Sequence, residues 1–298
     1  MRVTTIGTYL TTASSLGGAL ERVQRLQSQI GTGKAVAAWS DDAPAATAAE
    51  RYRSEESDWT SFQRSATDAQ GWLGTADGTL QSMSSLMARA KSLAVSAVSG
   101  GLSDTSRGAI ADELDQIRTE MRDLGNTQHL GRSLFGGFGA QALTTAADGT
   151  VSYSGDAGQV ARQISPTITL GVNVTGGPGG DDLFGFGTQD VFSVLKTLST
   201  AVRTDDAATL GSTQDALEAR HSDILRGLAK VGATTNRVDT AYDAGSVALT
   251  DLASRRSQLE DVDLAKAVLQ MSAAQAGYSA ALGAASRANL PSLADFLR

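Results

Sequence analysis

From Phe62 to Ala97 the chain sets Phe62, Ala66, Ala69, Leu73, Ala76, Leu80, Met83, Met87, Ala90, Ala94 and Ala97 at alternating spacings of four and three. This is an a/d seam, the pattern of a helix laid lengthwise on other helices. Trp72, Leu86 and Leu93 fall on g-type positions and widen the stripe. A stripe that wide needs more than one partner, so the seam predicts a helical bundle rather than a two-stranded zipper. Six of the eleven seam residues are Ala, which predicts close helix approach. The seam weakens backwards through Trp59, Glu55, Tyr52, Ala48 and Ala45. Asp41 and Asp42 before Pro44 suit an N-cap with Pro in the first turn, and Gly100-Gly101 is a stop. The predicted helix has about 55 residues and is roughly 80 Å long. Gly71, Gly74 and Gly78 each weaken it by roughly 1 kcal/mol relative to Ala, so packing must compensate.

The other segments fall around this helix. A first helix over Thr11–Ile30 carries Leu16, Ala19, Val23, Leu26 and Ile30, and Gly31-Thr32-Gly33 breaks it. Ser103 and Asp104 cap a third helix with the seam Ile110, Leu114, Ile117, Met121, Leu124. Leu130–Gly139 is a Gly-rich exit. Between Ala140 and Gly187 the pattern turns to period two: Val151 and Tyr153 after the Asp148-Gly149 turn signal, then Ile168, Leu170, Val172 and Val174. That predicts a small β-rich insertion of about four short strands, too small to stand alone. Helices resume near Thr188 and run as a second long helix from Leu210 to Leu252 or beyond. Asp261-Val262-Asp263 caps a last helix carrying Leu264, Val268, Met271, Gln275, Tyr278, Leu282 and Ala285, and Pro291 ends it.

The fold class is therefore mainly α. The simplest layout is an elongated rod of long antiparallel coiled-coil-like helices, with the N- and C-terminal helices paired at one end and the small β-rich insertion at the other. A compact bundle is the competing layout. Three parts follow: 1–40 with 260–298 as a terminal coiled-coil assembly domain, 41–139 with 188–259 as the helical rod domain, and 140–187 as the insertion.

The net charge of −7 argues against nucleic acid or an anionic membrane as partner. The absence of cysteine excludes disulfides, thiolate nucleophiles and sulfur-ligated metals. Met1–Leu20 has no apolar h-region, and no run approaches the ~18 apolar residues of a membrane span, so neither a cleaved signal peptide nor membrane insertion is expected.

Candidate sites are weak. Ile30–Ala35 lacks the first Gly and the final Ser/Thr of a phosphate loop, having Ser28 and Ala35 there, and it follows a helix. His129 and His221 have Asp123 and Asp223 near in sequence but no metal or catalytic spacing. Of the acidic pairs Asp41-Asp42, Asp181-Asp182 and Asp261-Asp263, two precede helices, where capping is their ordinary role. Gly136-Gly137, between Phe135 and Phe138, reads as a tight turn with aromatics in the core. No catalytic, cofactor or metal site is expected, and the chain reads as no enzyme. What needs explaining is the apolar stripes of the terminal helices. Leu16, Val23, Leu26, Ile30, Leu264, Val268, Met271, Tyr278 and Leu282 are the expected assembly interface. Terminal helices this short are marginal alone in water, so Met1–Ile30 and Leu264–Arg298 are expected to order on assembly.

Several segments carry a resemblance. Ile30-Gly31-Thr32-Gly33-Lys34 followed by Asp41-Asp42-Ala43-Pro44 is similar to the turn before the long helix of the flagellin superfamily, with Pro one place late. Asn126-Thr127 and Gly131-Arg132-Ser133-Leu134-Phe135-Gly136-Gly137-Phe138 resemble its hook–filament junction branch. Tyr153–Asp156, Asp182–Gly185, Asn236-Arg237, Leu259–Asp263 and Ser292–Leu297 look like further landmarks. The resemblance implies a non-enzymatic axial protein of the bacterial flagellum. It implies a ring of copies between hook and filament, touching a neighbouring hook-associated junction protein and flagellin. Flagellin itself, polymerising alone, is the alternative. It also implies an extracellular location, reached by flagellar type III export, and an export chaperone of the FlgN type on the helix from Leu264 to Leu290.

Overall fold

The seams become helices. The computed structural model describes residues 2–98 and 101–288, and within these the chain is mainly α. Helix α1 spans Arg2–Thr32, α2 Ala43–Val98, α3 Asp104–Gly125, α4 Val191–Thr204, α5 Ala207–Glu260 and α6 Leu264–Ala288. Gly100, Leu290, Pro291 and the Ser292–Leu297 landmark lie outside the described residues. Expected caps are in place. Asp42 Oδ1 accepts from the Ala45 amide at 3.0 Å, Ser103 Oγ from Ser106 at 3.2 Å and Asp263 Oδ1 from Lys266 at 3.1 Å. Gly33, with φ +71°, ends α1.

The chain divides into two units, Met1–Asp58 with Ala248–Arg298, and Trp59–Val247. In the second, the α2 seam is buried from Ala66 to Ala97. Within this unit α5 runs antiparallel to α2: Gln63 bonds Ser246 at 2.8 Å, Gln70 bonds Asp239 at 2.7 Å, Ser84 meets His221 at 3.0 Å, and Lys91 pairs with Glu218. The expected close approach of α2 to its neighbours is not observed. Backbones come within 8 Å along α3–α4 and α1–α6, whereas α2 meets its neighbours mainly through side chains. The large seam residues Leu73, Leu80, Met83 and Met87, all buried, hold the spacing that the alanines alone would close. Helix α3 packs on α4, where Ser199 Oγ donates to the Ala111 carbonyl at 3.2 Å and Arg203 bridges Asp112 and Asp115.

Between α3 and α4 lie three antiparallel strand pairs. They are β1 (Gln128–His129) with β2 (Arg132–Ser133), β3 (Leu143–Thr145) with β4 (Val151–Tyr153), and β5 (Ala161–Gln163) with β6 (Thr169–Gly171). The last two are the expected insertion. Leu170, Val172 and Val174 point into the core, but Ile168 is 39% exposed and β6 stops at Gly171. Leu143, Val151, Val160 and Leu170 share one core with the helices, around Phe135, Phe184 and Phe192. The insertion is thus stabilised by the helical layer rather than by its own interior.

In the other unit α1 and α6 pack closely. Early α2 keeps Ala45, Tyr52 and Trp59 partly covered, as the sequence reading expects, and shifts by one residue at two positions. Ala49, at 1% exposure, is the buried alanine; Glu56 faces Arg256 at 3.1 Å while Glu55 is exposed. A carboxylate with a cation opposite can occupy an inward position that apolar spacing alone cannot identify.

Candidate functional site

Each unit carries its own candidate features: the α1–α6 pair and a charged node beside it in one, and the loop that leaves α3 in the other. On α1, Leu26 is buried and Leu16, Val23 and Ile30 are partly covered, so the whole expected stripe is engaged. On α6 the expected stripe splits. Met271 and Tyr278 are partly covered, on the same row as buried Ala267 and half-buried Ala274, Ala281 and Ala285. Leu264, Val268 and Leu282 are instead 54%, 46% and 45% exposed, and Leu269, which sequence reasoning passed over, is 73% exposed. The row of small residues lets the helices close, and the bulky residues remain outside. An open groove of about 580 Å³ runs along the pair, lined by Arg22, Arg25 and Leu26 of α1 and Gln270, Gly277 and Tyr278 of α6.

The node is centred on Glu260, a carboxylate only 2% exposed. Its Oε2 lies 3.1 Å from Lys34 Nζ and its Oε1 2.5 Å from Arg53. Its carbonyl accepts from the Ala35 amide at 2.6 Å, and the Val262 amide donates to the Gly33 carbonyl at 3.0 Å. Lys34 also meets Asp261 Oδ1 at 2.6 Å. Asp261, then Glu260, raise the Lys34 ammonium above its usual range, and Lys34, then Ser257, lower the Asp261 carboxyl. Asp41 fastens the rest of the connector, its Oδ2 accepting from the Ala37 and Ala38 amides, which lowers its carboxyl. So Lys34, which looked like a phosphate-loop lysine, closes a turn onto the α5–α6 break. The node was missed because Arg53 and Glu260 lie 207 positions apart.

The exit loop is a hub of backbone bonds. Asn126 clamps Leu143 through both amide atoms, at 2.9 and 3.0 Å. Phe135 is fully buried and edge-on to Phe184 at 6.0 Å. Its carbonyl accepts from Tyr153 Oη at 3.0 Å and the Gly176 amide at 2.8 Å. Asp156 Oδ1 accepts from the Phe138 amide at 2.9 Å and the Gly158 amide at 2.7 Å, which lowers its carboxyl. Gly137, at φ +66°, lies where a Cβ would strike Asp156. Phe138 is not in the core as expected; it is 63% exposed, since Gly137 turns the chain outward before it.

Before that loop, Leu130 and Gly131 form a two-residue hairpin turn with φ +50° and +77°. Positive φ at both positions is the twist such hairpins need, normally met by Asn, Asp or Gly. Leucine there costs on the order of 1–2 kcal/mol. Leu130 is also 83% exposed. Leu130 itself carries no turn signal, because leucine is not a turn residue. Trp72 and Thr75 hold the hairpin base: His129 is edge-on to Trp72 at 5.7 Å, with Nδ1 3.0 Å from Thr75, and Arg132 lies over the Trp72 ring at 5.9 Å.

The remaining candidates have local duties. His129 and His221 bond hydroxyls of α2. Asp181 accepts from Thr175 and pairs with Lys230 at 2.5 Å, and Asp182 accepts from Gly187. Asn236 and Arg237 stand exposed on α5. Among the described residues no cluster of His, Cys, Asp and Glu could hold a metal ion, and no helix is long and apolar enough to cross a membrane.

Two family models match this chain: the bacterial flagellin N-terminal helical region over residues 3–140 and the bacterial flagellin C-terminal helical region over 214–297. Together they cover well over half of it. The flagellar hook-associated protein 3 of Salmonella typhimurium is 25% identical, over 93% of this chain and 95% of its own length. Among solved structures, FlgL of Bacillus cereus superposes with a TM-score of 0.60 at 25% identity, covering 70% of this chain and 99% of that one. A flagellar hook-associated protein structure from Vibrio parahaemolyticus reaches 0.68 at 18% identity, over 74% of this chain and 100% of that one. Flagellins match more distantly. The chain belongs to the flagellin superfamily, on its hook-associated protein 3 (FlgL) branch.

Proposed function

We propose that this chain joins hook to filament in a bacterial flagellum, as a ring of copies held through its terminal helices and adapting one tubular lattice to the other. The observation that carries the mode of assembly is the outer row of α6. Leu264, Val268 and Leu282 are bulky and exposed along one flank of the α6 face that α1 covers, and Leu269 is exposed on the far side of the helix. Such a row on a monomer is an interaction surface. The copies of this chain, a neighbouring hook-associated protein and flagellin are the partners that cover it in the tube. Before export the same row suits a helix-binding chaperone of the FlgN type. The chain works outside the cell and performs no catalysis.

Purified protein added to hook fragments tests this. The expected product is hook ends bearing a short cap of this protein that then accept flagellin. Cells lacking the gene are expected to shed their filaments into the medium. Long filaments grown from this protein alone would replace the junction reading with that of a filament subunit.

A further inference from the structure

We infer that the tip of the β1–β2 hairpin is a contact between copies, with Leu130 of one copy entering the α2–α3 groove of the next. The inference rests on the ring reading above and adds a second interface to it, away from the terminal helices in sequence and carried by different residues. Leu130 holds a backbone conformation that leucine disfavours and buries little within its own chain, being 83% exposed. A strained residue persists where its surroundings and its use require it. Here the surroundings are rigid, because Trp72, Thr75 and Arg132 fix the hairpin base. The strain therefore presents one bulky apolar side chain on a fixed support.

A groove that fits such a side chain lies between α2 and α3. Ser82, Ser85, Leu86, Glu120, Asp123 and Leu124 line about 640 Å³ of open space, with Leu86 and Leu124 as its apolar part. The charges match. Beside the tip, Arg132 has no carboxylate partner among the described residues, its guanidinium resting on Trp72. At the groove, Asp123 is already paired with Arg122, but Glu120 has no cation partner among the described residues. The tip thus offers a leucine and an unpaired cation, and the groove offers apolar walls and an unpaired carboxylate. Tip and groove are different patches, so the contact is heterologous, the kind that builds rings rather than closed pairs. A second copy of this chain is the occupant.

The cysteine-free sequence gives a clean test. Full-length Leu130→Cys and Leu86→Cys proteins are mixed, assembled on hook fragments and oxidised with copper-phenanthroline. The expected product is a disulfide dimer whose peptides join positions 130 and 86, and it can arise only between copies. A second variant separates folding from contact. Leu130→Gly relieves the strain and is expected to melt no lower than wild type, yet to incorporate about tenfold less well in competition with it. A 130–130 product, no cross-link in rings that otherwise form, or equal incorporation of Leu130→Gly would overturn the inference and leave the junction reading standing. Failure of the wild type to assemble on hook fragments would overturn both.

Discussion

Helices α2 and α6 carry the same alternation of fours and threes and put it to opposite uses. In α2 the large residues lie on the covered row: Leu73, Leu80, Met83 and Met87 are all buried. In α6 the covered row is Ala267, Ala274, Ala281 and Ala285 with Met271 and Tyr278, and the branched residues Leu264, Val268, Leu269 and Leu282 remain outside. Spacing reports that a seam exists. Residue size on each row reports whether the chain itself completes it. A helix whose bulk faces inward is finished on folding. One whose bulk stays exposed beside a small-residue contact is finished by a partner.

The contrast is sharpest where a single truncation is expected to hurt most. Phe184 is fully buried and touches Phe135, Phe186 and Phe192. Phe184→Ala is expected to destabilise the Trp59–Val247 unit by about 3–5 kcal/mol in denaturant unfolding. A cost under about 1 kcal/mol would mean that the strand pairs and the helices do not share one core.

Next in size is Glu260→Gln. It removes a carboxylate 2% exposed that serves two cations, themselves 38% and 49% exposed. Because both cations can turn to solvent, the loss is expected at about 1–3 kcal/mol rather than that of a fully buried pair. It should be read locally, as faster amide exchange at Ala35 and Val36, whose protons go to the Glu260 carbonyl. Unchanged exchange there would make the node a passive surface pair.

Much of this was legible in the sequence. The seam of α2, the caps at Asp42, Ser103 and Asp263, and the Asp148-Gly149 turn each rest on contacts within a few residues, which spacing and turn chemistry encode. The Glu260 node was not legible, because Lys34 and Arg53 reach it only after the chain has folded back. The split of α6 was not legible either. A stripe drawn through Leu264, Val268 and Leu282 follows hydrophobicity, whereas α1 selects the row where its backbone can approach, which is the alanine row. Leu130 shows a third failure: its turn contradicts the propensity of its own residue, and such local conflicts collect at positions with a use beyond folding.

A smaller effect follows from the ionisation of the node. The Asp261 carboxyl is lowered by Lys34, so its contribution is present above the ordinary carboxylate range near pH 4 and is lost as pH falls through its lowered value. The Lys34 ammonium is raised by Asp261, so its contribution holds below the ordinary lysine range near pH 10 and is lost as pH rises through its raised value. Protection of the Val262 amide, corrected for intrinsic exchange, should therefore be flat between about pH 5 and pH 9 and fall on either side. A fall centred near neutrality would assign control to another group.

The smallest effect on folding is expected where the effect on assembly is largest. Leu282 is 45% exposed on α6, so Leu282→Asp removes little buried surface and should change stability by less than about 0.5 kcal/mol. Met271 is on the covered row, and Met271→Asp places a charge against α1. It should loosen the pair, seen as faster amide exchange in both helices of the monomer. Leu282→Asp should leave that exchange unchanged and still abolish incorporation at hook ends. If both variants incorporate normally, neither row of α6 meets the tube. If Leu282→Asp also loosens the pair, the outer row is part of the monomer's own packing, and the distinction between a helix finished by its chain and one finished by its partner fails at the residue chosen to display it.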